Sequence, residues 1–332
     1  MTKVIFSFSI ILFSLLSGYA FNQAVKRGTI RIGAEVAERI RRWMQRIAML
    51  AINPIAFCGA VWVLDLGERR FLALPFFGVA ALALGLAVGL AGARLFRLAP
   101  LQAGVYAASS SFTNIGNIGG LVVYILLGEA AFALVPFYKL FEDLWNYGVL
   151  FPLARHYGYK VHTGVVQQEN RRAYLSSLAR IFLDPFLIVA ISSIALGLTM
   201  NLAGFVRPSF YASLNSILIP LSSFLFLFAI GMNMRFKIAQ ENRRIAGVFI
   251  LGKALIIPAA VTFLAYSIGF GGVAGGLGLR VVLVLAAMPT GFLSLVPPSL
   301  YGLDQEFAGS LWLASNGALI FIIPLLSLLL RI

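Results

Sequence analysis

Charge and thiols are what this sequence has least of. Only 11% of its 332 residues are Asp, Glu, Lys or Arg, against about 25% in a soluble domain. With 60% apolar residues and a mean hydropathy of +0.93, the chain cannot cover a water-facing surface. That excludes a soluble enzyme or binding module. A single cysteine, Cys58, excludes a disulfide framework and a cysteine-ligated zinc site. The only two histidines, His156 and His162, fall in a polar stretch, so a histidine-based catalytic or metal core is not expected. The chain also lacks a G-x-x-x-x-G-K-[ST] phosphate loop and an H-E-x-x-H pair, so it reads as neither an ATPase nor an intramembrane hydrolase. No cofactor is expected.

What is present is a series of ten apolar segments, at 4–24, 47–64, 71–93, 101–127, 130–153, 185–203, 214–234, 247–270, 279–301 and 306–330. In lipid every backbone polar group needs an internal partner, so segments of this length are helices. The first also imitates a secretory signal, with Lys3, an apolar run and the small residues Ser17, Gly18 and Ala20. Its apolar run continues to Ala24, and the count of ten keeps it as a helix.

The net charge of +14 is not that of a nucleic-acid binder, because the basic residues sit in short runs between apolar segments. The connections after segments 1, 3, 5, 7 and 9 hold seven, two, five, four and no Lys or Arg, and the other side holds six in all. Positive charge stays inside, which places both termini on the outer face of the cytoplasmic membrane. Residues from about 30 to 46, with Arg31, Arg39, Arg41, Arg42 and Arg46 among Ile32, Val36, Ile40 and Trp43, read as an amphipathic helix on the inner surface or as a basic linker.

A polar stretch at 154–184, read as a cytoplasmic linker, divides the segments five and five into regions 1–153 and 185–332. An odd number of spans per half forces opposite orientations, the arithmetic of an inverted repeat. Segments 4 and 9 are the unusual ones in each half. One carries Ser109, Ser110, Ser111, Thr113, Asn114, Gly116, Asn117, Gly119 and Gly120; the other carries Pro289, Thr290, Gly291, Ser294, Pro297 and Pro298. Gly/Pro-interrupted segments at matching positions point to a transport site. A broken helix exposes amides at one new end and carbonyls at the other, and the amide end suits an anion. Thr113, Asn114, Gly116, Asn117, Gly119, Pro289, Thr290 and Ser294 are the candidate substrate-binding residues. The serines at 109–111 could equally serve close helix packing, as Gly85, Gly89 and Gly92 would in segment 3.

Lys139, Glu142, Asp143 and Lys253 are ionisable groups within apolar segments, and so candidates for charge tuning or coupling. Spacing puts the first three on one face of helix 5, as a self-neutralising pair or as a proton relay. Lys253, with no acid within a turn, would snorkel, pair across helices or meet the anion.

These residues carry a family resemblance. Leu15-Leu16-Ser17-Gly18-Tyr19 with Lys26-Arg27-Gly28, then Asn53-Pro54, Ser111–Gly120, Phe228-Ala229-Ile230-Gly231-Met232, Lys253 with Pro258, Met288-Pro289-Thr290 and Tyr301-Gly302-Leu303-Asp304 resemble, in order and spacing, the auxin efflux carriers in their shorter prokaryotic form. The resemblance implies ten helices in a five-plus-five inverted repeat, broken helices 4 and 9 crossing, a dimeric scaffold and an elevator-like motion. It implies small organic anions as substrates, such as indole-3-acetate or malate-like acids, and carries over Asn114 and Pro289 as crossover residues. The family commonly has proline where this chain has Leu121, so the break in helix 4 is expected to rest on glycine. Proton or sodium coupling stays open. The alternatives are a sodium-coupled symporter resembling the bile acid family, and a non-transporting membrane receptor.

Overall fold

The computed structural model describes residues 2–65, 67, 69–162, 183–233 and 242–331. Helix makes up 84% of the structure, and no strand occurs among the described residues. Eight helices among these residues are long and apolar enough to cross a membrane. They coincide with eight of the ten apolar segments; segments 5 and 9 are built from shorter pieces.

The elements run in chain order as α1 (Thr2–Lys26), α2 (Ala34–Ile47), α3 (Asn53–Trp62), α4 (Leu74–Leu95) and α5 (Pro100–Ser111). Then come α6 (Gly120–Leu127), α7 (Glu129–Phe132), α8 (Val135–Tyr138), α9 (Glu142–Trp145) and α10 (Phe151–His162). The second part holds α11 (Pro185–Leu202), α12 (Phe210–Gly231), α13 (Arg243–Leu251), α14 (Ile257–Ser267), α15 (Leu277–Ala286), α16 (Val296–Tyr301), α17 (Gln305–Gly317) and α18 (Leu319–Leu329).

The basic stretch near residue 40 is helical rather than a linker. It is not a separate helix, since α2 continues through a wide π turn, Ala48–Ile52, into α3. The polar stretch at 154–184 begins as helix too, because α10 carries segment 5 on to His162; residues 163–182 of that linker lie outside the described residues.

Four π turns occur among the described residues, and three share a cause. Ala48–Ile52, Asn146–Leu150 and Gly252–Ile256 each precede a helix whose second residue is proline: Pro54, Pro152 and Pro258. Proline has no amide to donate and its ring presses on the carbonyl four residues back, and a widened turn relieves both. The fourth, Ile115–Gly119, is followed by Gly120 and Leu121, so Leu121 stands where the other three have proline.

Glycine sets the closest helix contacts. A Cβ on Gly85 would lie 2.6 Å from the Ser110 carbonyl oxygen, and one on Gly89 would lie 2.8 Å from the Ala107 Cα. So α4 packs directly on the backbone of α5, as small residues permit in lipid. The same device joins α1 to α12, where Gly18 faces the Phe228 carbonyl and Gly231 faces the Leu15 carbonyl. The central helical run, Pro100–Leu127, has 72% of its most apolar stretch buried, whereas α11 has 6%, so α11 lies at the periphery.

Candidate functional site

Segments 4 and 9 are both interrupted. Helix α5 ends at Ser111, and Phe112, Thr113 and Asn114 are non-helical before the π turn that leads into α6. Helix α15 ends at Ala286, and the chain runs extended at Gly291 before a short 3-10 turn, Phe292–Leu295, leads into α16. The two gaps touch. The Asn114 amide donates to the Pro289 carbonyl at 2.8 Å, and a Cβ on Gly291 would lie 3.0 Å from the Thr113 carbonyl oxygen.

The break in helix 4 rests on Asn114 and not on glycine. Its φ of −89° and ψ of 65° leave the helix, and its Oδ1 accepts from the Ile118 amide at 3.3 Å while its carbonyl accepts from the Gly119 amide at 3.0 Å. The asparagine thus caps the start of the second half of the helix, its side chain taking the Ile118 amide. Leu121 lies wholly buried inside α6, past the break.

At the carbonyl end, each of the four residues that close α5 has a side-chain donor. The Thr290 hydroxyl donates to the Ser109 carbonyl at 3.1 Å, and the Thr113 hydroxyl donates to the Ser111 carbonyl at 3.0 Å. Lys253, only 4% exposed, donates to the Ser110 carbonyl at 2.9 Å, the Phe112 carbonyl at 2.7 Å and Thr113 Oγ1 at 2.7 Å. These are the carbonyls a helix end leaves without intrahelical partners, and a cation there complements the negative end of the helix. An ammonium has three protons, and all three are used. Lys253 therefore pairs across helices, with carbonyl oxygens rather than an acid.

Thr290 is equally committed: its amide donates to Ser315 Oγ at 3.0 Å and its carbonyl accepts from Asn316 Nδ2 at 3.1 Å. Ser294 is buried with its hydroxyl unpartnered among the described residues.

At the amide end, the Ile115, Gly116 and Asn117 amides have no backbone partner among the described residues, as expected of a helix start. The Lys139 ammonium lies against this turn, 3.2 Å from where a Gly116 Cβ would be. Asn114 Nδ2 and the half-buried Asn117 side chain have no hydrogen-bond partner among the described residues. A Cβ on Gly119 would lie 2.9 Å from Leu285 Cδ2, so this glycine serves the close approach of α15.

Segment 5 departs from the expected single helix. Lys139 follows the end of α8, and Glu142 and Asp143 open α9 after a tight turn, so the three are not on one continuous helical face. The segment opens at Gly128, with φ +90°, and Pro136 lacks the amide that would bond to the Phe132 carbonyl. Through the turn the bonds shorten to i→i−3, as from the Glu142 amide to the Lys139 carbonyl at 2.8 Å. Lys139 Nζ lies 3.8 Å from Glu142 Oε2, an ion pair in which Glu142 is the more buried partner.

Lys139 and Asp143 also line a cavity of about 80 Å³ with Asn53, Pro54 and Phe57 of α3 and Phe186, Ala190 and Ile194 of α11. Asn53 was not among the expected site residues; its Oδ1 accepts from the Ser222 hydroxyl at 2.5 Å, and the Asn-Pro pair in an apolar run was its signal. Also missed was a polar knot away from the crossing. Arg207 grips Glu129 with two bonds at 2.5 and 3.2 Å and the Gly59 carbonyl at 2.8 Å, while Asn215 Nδ2 donates to Glu129 at 2.6 Å.

An all-helical bundle of apolar spans, with two interrupted segments that touch, defines a polytopic membrane protein. The family model described as "Membrane transport protein", that of the auxin efflux carriers, matches residues 68–327, and the chain belongs to this family of membrane transporters. No curated protein matches the chain.

Proposed function

We propose that the chain is a secondary carrier that moves a small organic anion, a carboxylate, across the cytoplasmic membrane by alternating access. The observation that carries this reading is the amide end of the broken fourth segment, with the Lys139 ammonium close to Gly116 and two asparagines, Asn114 and Asn117, in the same turn. Backbone amides, a helix dipole and one ammonium form an anion cradle of modest charge, suited to a ligand that must also leave. The adjoining cavity is mostly apolar, which suits the organic part of such an anion.

In this reading the regions 1–153 and 185–332 are inverted five-helix halves joined by the 154–184 linker, with both termini outside. The contact between the Asn114 amide and the Pro289 carbonyl supports a crossing of the two breaks. The cavity separates α3 and α11 from α8 and α9, the seam along which an elevator motion would slide, and a homodimer would hold the static part in the lipid. Asn114, Asn117 and the Gly116 backbone bind the carboxylate, and Lys139 attracts it. Thr113, Thr290 and Lys253 hold the break in shape, with Gly119, Pro289 and Ser294 packed around it. Glu142 and Asp143 set the charge around Lys139.

The test is thermal stabilisation of the purified protein by indole-3-acetate and by malate, repeated on Asn114→Ala and Lys139→Gln. Stabilisation by either acid that is lost in both variants supports the site, and stabilisation unchanged in both rejects it.

A further inference from the structure

The Lys253 ammonium occupies a place with the chemistry of a cation site. Its three contacts are oxygens, two backbone carbonyls and one hydroxyl, at 2.7–2.9 Å. The Thr113 hydroxyl proton is committed to the Ser111 carbonyl at 3.0 Å, so the face of Thr113 Oγ1 turned to Lys253 offers lone pairs only. The site lies at the carbonyl end of α5, where the helix dipole favours positive charge. Lys253 itself sits in the π turn Gly252–Ile256 that Pro258 imposes.

We infer that the Lys253 side chain is a tethered substitute for a monovalent cation at the break of helix 4, so that this chain carries its charge there without sodium, and that removing the ammonium opens a Na⁺ site made by the Ser110 and Phe112 carbonyls and Thr113 Oγ1. Sodium, like an ammonium, is satisfied by carbonyl and hydroxyl oxygens, and the space left by the lysine stem would admit the waters that complete its shell. The inference does not depend on which anion is carried, because the cage is complete without one.

The experiment compares melting temperatures of purified protein in equimolar NaCl and KCl, with no organic anion added. The wild type is expected to melt at the same temperature in both salts. Lys253→Ala is expected to melt lower than wild type in KCl and to regain about 3 °C in NaCl, the shift for sodium at roughly ten times its dissociation constant. The gain should vanish when Thr113→Val is added. Sodium-selective stabilisation of the wild type overturns the inference, because the lysine then does not fill the cation site. Equal melting of Lys253→Ala in the two salts overturns it as well. If Lys253→Ala does not fold, Lys253→Ser takes its place under the same criteria, and the wild-type comparison stands alone if neither folds. Failure of carboxylate binding would leave these salt effects untouched, so the two readings fall separately.

Discussion

At the level of single residues, the crossing is held by side chains that cap broken helices, and their removal has calculable costs. Thr290→Val leaves the Ser109 carbonyl without its donor in a site closed to water. A buried polar group stripped of its partner costs about 1–3 kcal/mol, so chemical denaturation should show a loss of that size. Asn114→Ala removes a cap, typically about 1 kcal/mol, together with the free amide proposed for the carboxylate. It should therefore lower stability modestly and carboxylate binding steeply, whereas Asn114→Asp should keep the cap and still lose binding. The sequence displayed Asn114 plainly, because an amide among glycines in an apolar segment stands out, whether it caps a break or binds a ligand. It hid Lys253. Nothing near it in sequence offers a partner, and the oxygens it holds belong to a backbone more than a hundred residues away. Those carbonyls become acceptors only because helix 4 breaks at Phe112.

Among the helical elements, proline and π turns explain where the bundle departs from straight rods. Leu121 occupies the position taken by Pro54, Pro152 and Pro258 after the other π turns. Leu121→Pro should accordingly disturb the fold less than Val123→Pro two residues on. The latter lies inside α6 and should lose roughly 3 kcal/mol or more through its missing amide and ring clash. Melting temperatures of the two variants check the order. The breaks in segments 4 and 9 were legible because glycine, proline and asparagine gather in them. The fragmentation of segment 5 was not. Its residues from Ala130 to Leu150 spread Pro136, Asn146 and Gly148 over the run instead of gathering them, and its tight turn lies against α4, where the Tyr138 carbonyl approaches Gly78. The extension of α2 into α3 was obscured for a different reason. Their compositions differ sharply, one basic and amphipathic, the other apolar, although the backbone is continuous.

For the whole molecule, eight of the ten apolar spans were readable from the lengths of the apolar runs, because lipid demands long apolar helices. Which spans lie against one another was readable only in fragments. Gly18 and Gly231 belong to two motifs far apart in sequence, and the structure puts them face to face. The Glu129–Arg207–Asn215 knot ties the start of segment 5 to α12 and, through Gly59, to α3. Glu129→Ala strands Arg207 with only carbonyl and ring contacts, at a cost of about 2–3 kcal/mol. A double variant with Arg207→Ala should recover part of that loss, and a double-mutant cycle on melting temperature measures the coupling. The central claim is that two touching breaks in a transporter of this family form a carboxylate site with an ammonium over the amide end. The most direct measurement is flux of radiolabelled indole-3-acetate and malate in proteoliposomes, comparing wild type with Asn114→Ala and Lys139→Gln. The account predicts wild-type flux of at least one acid, reduced about tenfold or more in each variant, the equivalent of losing one charge-assisted contact. Wild-type flux of an acid that both variants carry at an undiminished rate would contradict it.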